Sequence, residues 1–276
     1  MKTLVYTTAF GKDHFFRLAE QMLRSLRKRG YEGDAMVLSD RAWAFDPALD
    51  LKNPILPSGH GCFLVKASLP SLVEVEAYDK ILFVDSDAVF LRNPEPLFRI
   101  ADARVAVARD HYPLKRNGYN LRHLSPDEKK NPALSETRSV NSGALVFPGA
   151  ICRASMAKWS EAWNERVATK GPLGAGPQYL ERDQPVLQML VTRGLLECEY
   201  IPDALLLMPL FFTENQPLDP ETVLLHLNGS SRAAPQKERL LEIIREFTAL
   251  DAYEDFRKVC DRLQAGRRRA SFPTLP

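Results

Sequence analysis

Cysteine and long apolar runs are both scarce in this sequence. Its 276 residues include four cysteines, Cys62, Cys152, Cys198 and Cys260, and no two form a Cys-x-x-Cys pair. This spacing argues against a disulfide framework or a zinc site and is typical of a reducing compartment. No stretch approaches the roughly 20 apolar residues that a membrane helix needs, and residues 1–6 resemble a first strand rather than a signal peptide. We therefore expect a soluble cytoplasmic protein.

Net charge is also low. The formal charge of +2 is too small to indicate nucleic acid as a partner, and we expect none. The charge is unevenly placed, because residues 257–269 hold six basic residues and one acidic residue. This basic tail has two interpretations: attraction to an anionic membrane surface or a solvated basic end of the chain.

Glycine-rich phosphate motifs are missing after the first predicted strand, residues 4–8. Neither Gly-x-Gly-x-x-Gly nor Gly-x-x-x-x-Gly-Lys-Ser/Thr occurs there, which removes the main support for dinucleotide-binding and P-loop proteins. The chain nevertheless opens as strand, helix and strand: Phe15, Leu18, Met22 and Leu26 share one helix face, Gly30 follows as a C-cap, and residues 35–38 form the next strand. This order predicts a nucleotide-binding α/β fold.

Two carboxylates stand where a buried strand is predicted to end. Residues 81–84 are apolar, Asp85 and Asp87 follow with Ser86 between them, and residues 88–90 are apolar again. Open α/β sheets bind ligands at the carboxyl ends of their strands, and paired carboxylates suit hard divalent cations. The alternative is a solvated Asp-x-Asp turn.

Later segments predict further elements. A helical region at residues 62–75 carries Lys66 and is interrupted by Pro70, and residues 156–167 form a helix whose Trp159, Trp163 and Val167 belong to the core. Residues 110–139 lack apolar periodicity, which indicates a mobile lid or acceptor-side insertion, or else disorder. Further strands are predicted at residues 104–108, 143–147 and 224–227, and helices at 94–100, from Asp183, and at 236–263.

Six motifs in order resemble the GT-A glycosyltransferases, in particular the retaining family 8 group that includes glycogenin and bacterial lipooligosaccharide galactosyltransferases. They are Thr7-Thr8-Ala9, Lys66, Asp85-Ser86-Asp87, Asn141-Ser142-Gly143, Asp183-Gln184 and His226-x-x-Gly229-x-x-Arg232. The resemblance covers residues 1–235. It implies a single GT-A catalytic domain with a Rossmann-like mixed sheet flanked by helices, followed by a helical region at residues 236–276 that ends in the basic tail.

The resemblance also implies roles for these residues. Asp85, Asp87 and His226 would hold Mn²⁺ or Mg²⁺ on the diphosphate of a nucleotide sugar, with UDP-glucose or UDP-galactose expected, and Lys66 and Arg232 would add positive charge. Thr7, Thr8, Ala9, Ser86 and Gly229 would line the donor site, Asn141 and Asp183 would bind sugar hydroxyls, and Gln184 would lie near the anomeric carbon. The family usually has lysine at the position of Arg232 and then an aromatic residue, whereas Ala233-Ala234-Pro235 follows here.

Each motif residue also has a structural interpretation. The alternative for His226 is a packed or surface histidine, for Asn141 a turn, for Asp183 and Gln184 helix capping, and for Lys66 a solvated helix face. The expected reaction is hexosyl transfer to an acceptor hydroxyl with retention of configuration; the acceptor is a glycan, a lipid-linked glycan or a protein. Competing hypotheses are a haloacid dehalogenase-type phosphatase, a nucleotidyltransferase that makes the sugar nucleotide, and a catalytically silent sugar-nucleotide-binding protein.

Overall fold

A computed structural model describes residues 1–56, 64–100, 102–169, 183–208, 218–227 and 234–269, without the side chains of residues 111, 112, 167, 169, 234–237 and 264–269. The strands within these ranges are β1 Thr3–Ala9, β2 Asp34–Ser39, β3 Leu51–Lys52, β4 Lys80–Val84, β5 Ala88–Phe90, β6 Val105–Pro113, β7 Arg138–Pro148, β8 Cys198–Tyr200, β9 Leu206–Leu207 and β10 Leu224–His226. The α-helices are α1 Asp13–Lys28, α2 Glu95–Phe98, α3 Pro126–Lys129, α4 Gly149–Thr169, α5 Asp183–Thr192, α6 Ala234–Ala249 and α7 Tyr253–Arg269.

Strand β4 lies at the centre of a mixed sheet. Among the described residues the sheet has seven strands in the order β3-β2-β1-β4-β7-β6-β8. Strand β4 pairs in parallel with β1 and antiparallel with β7. Ile81 and Phe83 enter one core cluster, and Leu82 and Val84 enter the other. The unbroken apolar run of β4 therefore reflects burial on both faces of the sheet.

The predicted opening of the chain is confirmed. Strands β1 and β2 pair in parallel on either side of α1 in the sequence. Leu18, Met22 and Leu26 of α1 are buried, and Phe15 is partly buried. Gly30 follows the basic last turn with a φ of 75°, a left-handed conformation that glycine adopts without the steric penalty of a Cβ.

A second, smaller sheet joins the central sheet to the C-terminal helices. It consists of β5, β10 and β9 in that order among the described strands. Val89 of β5 and Leu225 of β10 pack with residues of α6 and α7, including Ile244, Phe247 and Phe256. The C-terminal helical region thus shares a core with the small sheet, while the division at residues 235 and 236 remains a prediction.

Two segments differ in detail from the predicted elements. Residues Leu64–Ser71 form a 3₁₀-helix rather than an α-helix. Pro70 explains the difference, because proline lacks a backbone N–H and disfavours the α conformation of the residue before it. The segment 110–139 is ordered by the end of β6, by helix α3 and by three 3₁₀-helices, Leu114–Arg116, Asn120–His123 and Pro132–Ser135. Of the described helices, none is both long enough and apolar enough to cross a bilayer.

Candidate metal and donor site

Three side chains with metal-ligating atoms meet where the two sheets join. Asp85 follows β4 directly, and its backbone N–H donates to the carbonyl oxygen of Gly143 at 2.8 Å. Strand β5 begins after Asp87, and its antiparallel pairing with β10 places His226 opposite Ala88. One ligand atom from each of Asp85, Asp87 and His226 lies within 4.8 Å of the other two. The pairing of β5 with β10 therefore brings together residues that lie about 140 positions apart in the sequence.

The imidazole of His226 is buried and lacks hydrogen-bond partners within the described part of the chain. Its side chain is 2% exposed, and neither ring nitrogen has a hydrogen bond there. Nε2 lies 3.3 Å from Oδ1 of Asp87 and 3.7 Å from Oδ2 of Asp85. Buried polar atoms without partners are uncommon in folded proteins. Two carboxylates and an imidazole suit Mn²⁺ or Mg²⁺, so the residues present fit a divalent cation.

A bulge in β7 makes room for this imidazole. Strand β6 pairs Val107 with Leu145 and then Ala108 with Asn141, so that residues 142–144 have no counterpart on β6. Such bulges are enriched beside active sites, where they redirect side chains. A Cβ at Gly143 would lie only 2.0 Å from Cε1 of His226. Glycine at this position is therefore required by the packing of the ring.

Lys66 is buried between two carboxylates. Its Nζ lies 2.9 Å from Oδ1 of Asp85 and 2.7 Å from Oδ2 of Asp183, and it donates to the carbonyl oxygen of Ser142 at 3.2 Å. It also lies 4.8 Å from the ring centroid of Phe83. An ammonium has three N–H donors; these three oxygens can accept from all of them, and Oγ of Ser142 lies further away at 3.4 Å. Lys66 is therefore not the solvated helix-face residue that the structural interpretation described.

Burial and charge act in opposite directions on the ionisable groups of this site. Burial lowers the pKa of Lys66, but the carboxylates of Asp183 and Asp85 outweigh it and raise that pKa above its ordinary value. Burial raises the pKa of Asp85 despite the opposing effects of Lys66 and His226. For His226, burial lowers the pKa, and the carboxylates of Asp87 and Asp85 raise it more. The site thus concentrates negative charge that buried cations partly neutralise.

Asp183 faces the same centre from the start of α5. Its Oδ2 accepts a hydrogen bond from Oγ of Ser142 at 2.8 Å as well as from Lys66. Trp159 Nε1 donates to the backbone carbonyl of Asp183 at 3.2 Å, which ties the start of α5 to helix α4. Asn141 Oδ1 accepts from the backbone N–H of Gly143 at 2.8 Å, so the local turn contact considered for Asn141 is present.

The remaining predicted residues divide into placed and undescribed positions. Gln184 Nε2 donates to Asp110 and Asn120, and Gln184 Oε1 accepts from the backbone of Ser142. Residues Thr7, Thr8 and Ala9 end strand β1 beside the end of β4, since Tyr6 pairs with Phe83. Ser86 is buried between the two aspartates. Gly229 and Arg232 lie outside the described residues.

The Asp85–Asp87–His226 group falls within a recognised family segment. A family model described as nucleotide-diphospho-sugar transferase matches residues 76–241, more than half of the chain. The chain belongs to this nucleotide-diphospho-sugar transferase family. A comparison with curated protein sequences gave no match.

Solved structures establish the fold of this nucleotide-diphospho-sugar transferase. The glycosyltransferase GlyE of Streptococcus pneumoniae TIGR4 matches with a TM-score of 0.61 and 16% identity over 100% of this chain and 66% of GlyE. The galactosyltransferase LgtC matches with a TM-score of 0.55 and 16% identity over 91% of this chain and 98% of LgtC. The bifunctional glycosyltransferase WbbM matches with a TM-score of 0.58 and 13% identity over 95% and 51%. The chain thus spans slightly less than two thirds of GlyE, and the predicted GT-A fold of the family 8 type is confirmed.

Four further residues of the transferase contact the predicted site residues, namely Ser142, Gly143, Asp110 and Asn120. Gly143 accommodates His226, and Ser142 connects Lys66 with Asp183. Asp110 and Asn120 bind the amide of Gln184 from the segment that lacked periodicity. Ser142 and Gly143 had a signal in the Asn141-Ser142-Gly143 motif, whereas Asp110 and Asn120 had none.

Proposed function

We propose that this transferase moves a hexose from a nucleotide diphosphate sugar, with UDP-glucose or UDP-galactose as donor, to an acceptor hydroxyl with retention of anomeric configuration. The observation that supports the proposal most is the buried imidazole of His226, which makes no well-aligned hydrogen bond among the described residues and whose Nε2 lies 3.3 Å from Asp87 and 3.7 Å from Asp85. The donor of a nucleotide-diphospho-sugar transferase carries a diphosphate, and a cation held by these three side chains would supply the positive charge that the diphosphate requires.

Asp85, Asp87 and His226 would hold the divalent cation, Mn²⁺ or Mg²⁺. When bound, such a cation supplies Lewis-acid stabilisation of the negative charge that develops on the leaving diphosphate. Lys66 bridges Asp85 and Asp183 as a shared counter-charge. Further donor contacts are proposed for the edge formed by Thr7, Thr8, Ala9 and Ser86, and for Gly229 and Arg232.

We assign the donor sugar to the side of Lys66 that faces Asp183, away from Asp85. Asn141 and Asp183 would bind its hydroxyl groups, and Gln184 would lie beside the anomeric carbon. Two routes give retention from this arrangement: the acceptor attacks from the face that the leaving group departs, or Asp183 or Gln184 assists an intermediate. Both routes need Asp183 and Gln184 held in fixed positions, and the hydrogen bonds of these two side chains support that constraint.

A donor screen tests the proposal. Purified protein is incubated with UDP, GDP and ADP sugars without acceptor, and hydrolysis is measured with and without Mn²⁺. We expect Mn²⁺-stimulated hydrolysis of a UDP-hexose, loss of that activity in Asp85→Ala and in Asp87→Ala, and circular dichroism unchanged in both variants. Full activity in either variant would overturn the metal assignment.

The same screen separates the competing functions. Stabilisation by one nucleotide without hydrolysis of any sugar would favour the silent binding protein over the enzyme. Hydrolysis of a generic aryl phosphate would favour the phosphatase, which the family match already disfavours. Synthesis of a sugar nucleotide from a nucleoside triphosphate and a sugar phosphate would favour the nucleotidyltransferase.

The acceptor is proposed to be a glycan, a lipid-linked glycan or a protein, with the basic tail of residues 257–269 favouring the lipid-linked class. Each basic residue near an anionic surface contributes about 1 kcal/mol of attraction. Arg257, Lys258 and Arg262 pair with acidic neighbours, so the test changes the other three basic residues of the tail, Arg267, Arg268 and Arg269. The fraction of protein that sediments with anionic liposomes should fall when these three arginines are changed to glutamine. Equal binding of the variant and the wild type would refute attachment to the inner face of the membrane through this tail.

A further inference from the structure

The side-chain amide of Gln184 has partners on both of its ends. Nε2 donates to Oδ2 of Asp110 at 3.1 Å and to Oδ1 of Asn120 at 3.0 Å. Oε1 accepts from the backbone N–H of Ser142 at 3.4 Å. Ser142 is the bulge residue that contacts Lys66 and Asp183. The amide oxygen therefore points toward the proposed donor site, and the amide nitrogen points away from it.

The chemistry of Asp110 fixes this orientation. An ionised carboxylate only accepts hydrogen bonds, so the group that faces Oδ2 of Asp110 must be the nitrogen of Gln184. The same oxygen also accepts from Nδ2 of Asn117 at 3.0 Å. A reversed amide would place its oxygen against this carboxylate, with no proton between the two atoms.

Asn120 adds a second constraint, and its own orientation comes from strand β7. The residue is 0% exposed. Its Nδ2 donates to the carbonyl oxygen of Val140 at 3.0 Å and approaches Oε1 of Gln188 at 3.5 Å. Gln188 Oε1 in turn accepts from the backbone N–H of Val140 at 2.7 Å. Because the nitrogen of Asn120 is engaged by the β7 backbone, its oxygen is left to accept from Gln184.

We infer that Asn120 is a positioning residue that, together with Asp110, holds the amide of Gln184 so that its carbonyl oxygen faces the donor sugar. The inference rests on the proposed function, which puts Gln184 beside the anomeric carbon. Positive charge develops on that carbon as the diphosphate leaves, and a carbonyl oxygen stabilises it whereas an NH₂ group does not. The segment 110–139 thus contributes to the reaction by holding Gln184.

Kinetics of Asn120→Ala, with Gln188→Ala as the matched control, test this role. Both variants remove a fully buried amide that bonds to Val140, but only Asn120 contacts the nitrogen of Gln184. Gln188→Ala also removes the 3.5 Å contact with Nδ2 of Asn120, but the 3.0 Å bond from that nitrogen to the carbonyl oxygen of Val140 remains and keeps Asn120 oriented. We expect Asn120→Ala to lower kcat for donor hydrolysis about 10- to 100-fold with KM nearly unchanged, because a misplaced group costs transition-state stabilisation rather than binding. Gln188→Ala should shift the urea midpoint similarly and keep kcat within about threefold. Equal losses of kcat in both would overturn the inference.

A double-mutant cycle and a spectroscopic signal complete the test. Asn120→Ala should cause no further loss of kcat in a Gln184→Ala background, since its effect passes through that amide; additive losses would overturn the inference. In ¹⁵N NMR spectra, the side-chain NH₂ resonance of Gln184 should shift in Asn120→Ala and stay in place in Gln188→Ala. An unmoved resonance would refute the contact. If the wild type hydrolyses no donor, the proposed function and the catalytic consequence fall, and the resonance still decides whether Asn120 holds the amide.

Discussion

Replacing Lys66 with methionine should destabilise the protein far more than replacing a surface lysine. Methionine preserves the length of the buried side chain and removes its charge. Asp85 and Asp183 then lose the ammonium that lies 2.9 and 2.7 Å from their oxygens. Breaking a buried ion pair by removing one partner typically costs about 3–5 kcal/mol, because an uncompensated charge stays behind. We expect a loss of that size at pH 7 in the presence of a chelator.

The pH dependence of this loss follows from the carboxylates. Burial already raises the pKa of Asp85, and Lys66 opposes that effect, so the Lys66→Met variant raises the folded-state pKa further. An aspartate whose folded pKa lies above its unfolded value of about 3.9 binds more protons in the folded state between these values, so stability falls as pH rises. The deficit of the variant relative to wild type should therefore be largest at neutral pH and shrink as the pH falls toward 4.

Urea unfolding at several pH values measures both effects. Lys258→Met is a suitable control, because Lys258 forms an exposed ion pair with Asp255. This variant should lose less than about 1 kcal/mol of unfolding free energy. Adding Asp183→Asn to Lys66→Met should restore part of the stability by removing one buried charge. A loss below about 1 kcal/mol for Lys66→Met, or a deficit independent of pH, would refute the assignment of Lys66 as the shared counter-charge.

Substitutions of Gly143 and Gly149 test the packing around these two residues. Gly118→Ala is the control, because a Cβ at Gly118 meets nothing within 4 Å. Gly143→Ala should weaken Mn²⁺ binding about 10- to 100-fold by calorimetry, since the new Cβ would lie 2.0 Å from the ring of His226; wild-type affinity would contradict this geometry. Gly149→Ala should lose about 1–3 kcal/mol of unfolding free energy, because its Cβ would lie 1.8 Å from the carbonyl oxygen of Tyr78. A urea midpoint matching that of Gly118→Ala would refute the second prediction.

Local patterns predicted the opening of the fold. The apolar spacing of α1, the glycine after it and the unbroken apolar run of β4 each reflect a local rule of burial or backbone conformation. The antiparallel direction of β7 next to β4 follows from no local rule, because strand direction depends on the chain's path between strands. The segment 110–139 lacks apolar periodicity because its short 3₁₀-helices bury single residues such as Leu114 and Asn120 instead of a continuous face.

Local patterns predicted the candidate site only as separate motifs, and the family resemblance grouped Asp85, Asp87 and His226 into one site. Asp85 and Asp87 are recognisable because they follow an apolar strand. His226 gains its meaning from the pairing of β10 with β5, and an isolated histidine carries no record of that long-range contact. Lys66 shows the same limit: a charged residue on a predicted helix favours solvent exposure, and its burial depends on three oxygen atoms from distant parts of the chain.

The small sheet lies between the candidate cation site and the C-terminal helices. Asp85 follows the central sheet, His226 belongs to the small sheet, and the other face of the small sheet packs on α6 and α7. A cation bound across that junction would favour the docked arrangement, and by thermodynamic reciprocity a firmly docked helical region would increase affinity for the cation by the same factor. Substitutions around Phe247 and Phe256, remote from any proposed chemistry, are thus expected to change the affinity of the candidate site for a cation.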